Sequence, residues 1–146
     1  MAQHGTADEA SIRERIEALA RAIRAKDIDG VMATFAADVV SFDLGPPLAH
    51  GGGDVFRSHW RALFDAWRDD IEFDVRELAV AISGDVAFSH GLNRMAGTTV
   101  DGRRSERWLR WTACWRLREE RWLVVHEHVS VPVDLRAGRA LLDLRP

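Results

Sequence analysis

The chain has 146 residues, 47% of them hydrophobic, and a formal net charge of -3. That length and composition give one globular domain with a sizeable core and exclude a disordered chain. The charge balance argues against a nucleic-acid partner. A lone cysteine, Cys114, excludes an internal disulfide and points to a reducing compartment.

The opening MAQHGTADEA has no apolar run of the kind a signal peptide carries. No segment approaches the roughly 18 apolar residues that cross a bilayer. The expected setting is therefore the cytoplasm, with no membrane partner. Six tryptophans supply bulk for a core, and the absence of tyrosine excludes any mechanism that needs a phenol.

In chain order, residues 1–9 read as a loose tail of a single domain spanning 1–146. Residues 10–26 read as a helix, because Ile12, Ile16, Leu19, Ala20 and Ile23 recur at helical spacing. Asp27 and Asp29 mark a break before a short second helix reaching about residue 37. Residues 39–43 form a short strand, and GPPLAHGGG at 45–53 is a loop on its turn chemistry. Residues 54–67 form a third helix, with Val55, Phe56, Trp60, Leu63, Phe64 and Trp67 on one broad stripe.

From residue 71 the period changes to that of strands. Four long strands are expected at 71–82, 86–99, 106–118 and 122–133, joined by turns at Ser83-Gly84-Asp85, Asp101-Gly102 and Glu119-Glu120. Helices first and strands later indicate an α+β fold. The helices would pack on a curved, mainly antiparallel sheet and leave a cone-shaped barrel with an internal cavity.

The candidate site residues follow from this plan. Strict alternation along WLVVHEHVSVP (122–132) puts Trp122, Val124, His126, His128 and Ser130 on one face. That face runs from apolar to polar, as a strand entering a cavity does. The other face holds Leu123, Val125, Val129 and Val131, with Glu127 as its one charge. His126 and His128 can act as acid and base near neutral pH. They could instead ligate a metal with help from His90 or Asp43, or simply bond to sheet neighbours or water. Asp43 sits beside Phe42 and Leu44, where desolvation would raise its pKa and suit a general base; a turn aspartate capping backbone N–H groups is the plainer reading.

His90 and Asn93 have opposite parity, so both reach the cavity only through a bulge, which Gly91 permits. In the third long strand, Trp108 and Arg110 share a face with the small Thr112 and Cys114. Arg110 could hold a carboxylate ligand there or be an ordinary surface arginine. Trp60 is the helical tryptophan placed to reach the cavity.

Four segments resemble the nuclear transport factor 2-like superfamily, in particular its SnoaL-like and ketosteroid-isomerase-like branch. They are AKDIDGVMATFAADVV (25–40), VVSFDLGPPLAHGG (39–52), SGDVAFSHGLNR (83–94) and WRLREERWLVVHEHVSVP (115–132). The resemblance implies a cone-shaped α+β barrel that commonly pairs into a homodimer through its outer sheet face. It places Asp43 at the position of the isomerases' general base. The position of their oxyanion-hole tyrosine falls at about Leu19, so that half of the machinery is missing.

The expected function is thus binding of a small hydrophobic ligand or substrate. Where it is catalytic, cofactor-free isomerase- or lyase-type acid/base chemistry is expected, meaning isomerisation, dehydration or cyclisation. Asp43, His126 and His128 would be the catalytic groups, and Trp60, His90, Asn93, Trp108 and Arg110 the ligand-binding ones, with no metal and no cofactor. The alternative is a non-catalytic binding or association module.

Overall fold

A computed structural model of the chain describes residues 2–146. Three helices precede most of the strands: α1 (Ala2–Arg24), α2 (Ile28–Met32) and α3 (Gly53–Asp65). The stretch expected as a loose tail is helical from Ala2; Met1 lies outside the described residues. Asp27 caps α2 by accepting a hydrogen bond from the Gly30 N–H at 3.1 Å, which explains the break after α1. The second helix is shorter than its apolar spacing predicts, because Phe35 already belongs to a strand.

The strands are β1 (Phe35–Phe42), β2 (His50–Gly51), β3 (Glu72–Ser83), β4 (Val86–Thr98), β5 (Arg104–Arg118) and β6 (Arg121–Ser130). They form one sheet in the order β2-β1-β6-β5-β4-β3. Every pairing is antiparallel except β1 with β6. The sheet is not closed into a barrel, so the fold is cone-like and α+β. The C-terminal segment adds a separate two-residue hairpin, β7 (Val133–Asp134) with β8 (Arg139–Ala140).

One hydrophobic core lies between the helices and one face of the sheet. Ile12, Ile16, Leu19 and Ile23 of α1 meet Phe56 and Phe64 of α3 and the sheet residues Phe73, Trp111, Trp115, Trp122 and Val124. The buried Trp115 indole donates to Ser89 Oγ at 2.9 Å, so its polar tip is satisfied.

Two irregularities shape this sheet. In β3 the register slips between Arg76 and Ala79, with Glu77 at φ 53°. A Cβ on Gly91, opposite this bulge, would lie 3.0 Å from the Arg76 carbonyl oxygen, so the bulge sits in the space a side chain would take. In β6, Trp115 pairs with Val124 and Cys114 with His126, so Val125 is an extra residue without a partner on β5.

Candidate functional site

The bulge at Val125 decides which side chains enter the cone. Before it, Trp122 and Val124 are buried against the helices. After it the parity is reversed, so Glu127 and Val129 point inward and line the cavity. His126 and His128 therefore lie on the open face of the sheet, away from the helices. This corrects the expectation drawn from strict alternation. His126 Nδ1 donates to the Val40 carbonyl at 2.7 Å, and both imidazoles pack nearly perpendicular to the Phe42 ring.

The remaining candidates separate in the same way. His90, Thr112 and His128 are register partners across β4, β5 and β6, which puts His90 on the open face. Arg110 is exposed there and bonds Ser130 Oγ at 3.0 Å. Trp108 lies outside the cavity wall and donates to Glu106 at 3.3 Å. Asn93, Trp60 and Asp43 do line the cavity. The bulge that brings residues to one side is in β3 and β6, not at Gly91. No group of three or more histidine, cysteine or acidic side chains able to hold a metal stands together among the described residues.

The cavity holds about 50 Å³ and is walled by Leu19, Phe35, Phe73, Met95, Trp111 and Val129 among others. Leu19 contributes only hydrocarbon to this wall. Asp43 lies at the mouth, between this cavity and an open cleft under residues 44–49, where Leu48 is 98% exposed.

Asp43 is held by two donors that loop and helix bring together. The Leu44 N–H donates to Oδ1 at 2.7 Å. His59 Nε2, from α3, lies 2.6 Å from Oδ2; an ionised carboxylate only accepts, so the imidazole N–H donates. The ring of His50, from β2, stacks obliquely on His59 with centroids 4.5 Å apart. Desolvation by burial is the largest single influence on Asp43 and pushes its pKa up. The His59 and Leu44 hydrogen bonds, with the charges of His59 and His50, together outweigh it. The carboxyl ends below its ordinary range, opposite to the direction expected from its apolar neighbours.

Glu127 meets the reverse conditions. It is 3% exposed. Burial, and then the charge of Asp43, raise its pKa to about 8 against the opposing hydrogen bond from Trp111. At neutral pH the site thus pairs an ionised carboxylate at its mouth with a protonated carboxyl in its wall.

His59, His50 and Glu127 are absent from the candidates that the sequence supplies. Each left a trace there. Glu127 is the one charge on an otherwise Val- and Leu-rich strand face. His59 falls three residues after Phe56 and four before Leu63, on the apolar side of its helix. His50 stands in a loop segment that turned out to be a strand.

A family model for the SnoaL-like domain matches residues 12–134. No curated protein matches the chain. Among solved structures, a nuclear transport factor 2-like protein of unknown function from Pseudomonas putida is 35% identical, with a TM-score of 0.88 over 97% of this chain and 98% of that one. A ketosteroid isomerase-like protein from Erwinia carotovora is 23% identical, with a TM-score of 0.71 over 83% of this chain and 93% of that one. The association domain of CaMKII from C. elegans is 19% identical, with a TM-score of 0.70 over 88% of this chain and 98% of that one. These last two likenesses concern the fold alone. With its domain matched over residues 12–134 and a 35% identical relative aligned along nearly its whole length, this chain belongs to the SnoaL-like family of the nuclear transport factor 2-like fold.

Proposed function

We propose that the chain binds a small, largely apolar carbonyl compound in the cone and catalyses proton transfer on it without a cofactor. Asp43 is the base, and Glu127 takes the acid role that the sequence suggested for the histidines. One observation carries this reading: two carboxyls with opposite surroundings line one apolar cavity.

Asp43 takes a proton from the carbon next to the carbonyl. The C–H electron pair becomes the carbon–carbon double bond of an enol, and the carbonyl pair takes the Glu127 proton as an O–H bond. Returning a proton to a different carbon isomerises the substrate. Dehydration follows when a β-hydroxyl leaves as water with the proton now on Asp43, while the enol O–H proton returns to Glu127 and the carbonyl re-forms. His59 holds the Asp43 carboxylate toward the cavity and keeps it ionised until substrate arrives.

Exchange of deuterium from an α-deuterated ketone into water measures this step. Asp43→Asn abolishes the exchange, and Glu127→Gln lowers it by about 10²–10⁴. Undiminished exchange in Asp43→Asn protein removes Asp43 from the mechanism.

The cavity's size favours a second reading. About 50 Å³ is well below the roughly 300–1,000 Å³ of ordinary ligand sites, and Trp60, Trp111 and Phe73 occupy much of the cone. A non-catalytic association module fits such an interior. In that case wild-type protein catalyses no exchange and binds no small ketone.

Assembly and setting complete the proposal. The chain pairs into a homodimer through the open face of its sheet and works in the cytoplasm. Among the described residues no helix is long and apolar enough to cross a membrane.

A further inference from the structure

Glu127 Oε2, Asn93 Oδ1 and Trp60 Nε1 all belong to residues lining the cavity, and none has a hydrogen-bond partner in the protein. Glu127 and Asn93 are only 3% and 7% exposed. Native interiors seldom leave buried polar atoms unpaired, because such atoms have given up water for nothing. Three around one space mark where a ligand's polar groups belong.

Their positions and chemistry restrict that ligand. Asn93 is on β4 and Glu127 on β6, with β5 and its Trp111 between them. The two groups therefore address different ends of a ligand. A protonated Glu127 donates, so the ligand group beside it must accept, as a carbonyl oxygen does, and the Trp60 indole is a second unpaired donor in the same wall. The Asn93 amide is satisfied by a hydroxyl, which can donate to its oxygen or accept from its nitrogen. Between these groups the wall is apolar, and the narrow cavity, continuous at Asp43 with the cleft under residues 44–49, suits a ligand of few carbons that reaches the mouth.

We infer that the cavity takes a compact aliphatic hydroxy-ketone, its carbonyl oxygen at Glu127, its enolisable carbon at Asp43 and its hydroxyl on Asn93. The placement of the reacting end rests on the acid/base reading of the same cavity. The hydroxyl contact with Asn93 stands on its own geometry.

Two probes isolate that contact: butanone and its terminally hydroxylated form, which differ only in the hydroxyl group. Binding to the wild-type protein is followed by amide NMR shifts. The hydroxylated ketone binds about tenfold more tightly. Asn93→Leu removes this difference by weakening the hydroxylated ketone alone. Asn93→Ser, which keeps a hydrogen-bonding group at the position, retains part of it and covers the case in which the leucine variant does not fold. Equal affinities in the wild type, a preference that survives in Asn93→Leu, or no binding of either ketone overturns the inference. Exchange of α-deuterium, read on the same two ketones, reports on the acid/base reading separately. Discrimination without exchange sinks that reading alone, and exchange without discrimination sinks the hydroxyl assignment alone.

Discussion

Asp43 and Glu127 carry the same functional group in opposite surroundings. Asp43 has donors on both oxygens, and Glu127 has burial and a neighbouring negative charge. Each environment leaves a mark on stability. The ordinary pKa of Glu127 is 4.5 and its folded value about 8. Between these values the folded protein keeps a proton that the unfolded chain has lost, so stability falls as pH rises through the window. The slope is about 1.4 kcal/mol per pH unit. Glu127→Gln removes that slope and makes the variant more stable than wild type on the alkaline side, which melting curves across this range will show. Asp43 acts in the other direction: its contribution is present above its unfolded pKa and is lost as pH falls through its depressed folded value. Asp43→Asn therefore flattens the acid side of the same profile. The open-face histidines lie outside the cavity wall, and His128→Ala leaves ketone exchange unchanged.

Among the elements, the two bulged strands do most to build the site. The bulge in β3 is accommodated by Gly91, whose missing side chain leaves room for the Arg76 carbonyl. Gly91→Ala lowers stability by about 1–3 kcal/mol through that contact, measurable as a lower denaturation midpoint with an unchanged slope. The bulge in β6 also explains what could and could not be read from the chain. The four long strands were legible to within three residues, two of their three turns being marked by Gly and Asp. Asp43 was legible because it ends a short strand just before a proline loop. The inward face of β6 was not, because Val125 has a good strand side chain and nothing local announces it as an extra residue. Counting alternately across it assigned His126 and His128 to the cavity and treated Glu127 as a stray surface charge. His59 and His50 were missed for a different reason. Their meeting with Asp43 depends on α3 and β2 folding back on β1, a juxtaposition of segments that spacing along the chain does not display.

For the whole molecule, the helices close one side of the sheet and leave the other side open. That open face carries Val40, Phe42, Val86 and Phe88, the last 51% exposed. Val129, once expected among its apolar residues, belongs to the cavity instead. If two copies meet through this face, Phe88→Glu places a charge in the contact and converts a dimer to a monomer in light scattering. A wild-type monomer at micromolar concentration would contradict the pairing. The central claim for the molecule as a whole is that its cone holds one ionised and one protonated carboxyl at neutral pH. Carbon-detected NMR titration of the Asp43 and Glu127 carboxyl groups, in the wild type and in each single variant, tests it most directly. Asp43 is expected to titrate below the ordinary carboxylate range and Glu127 near pH 8. Titration of both groups in the ordinary range would contradict it.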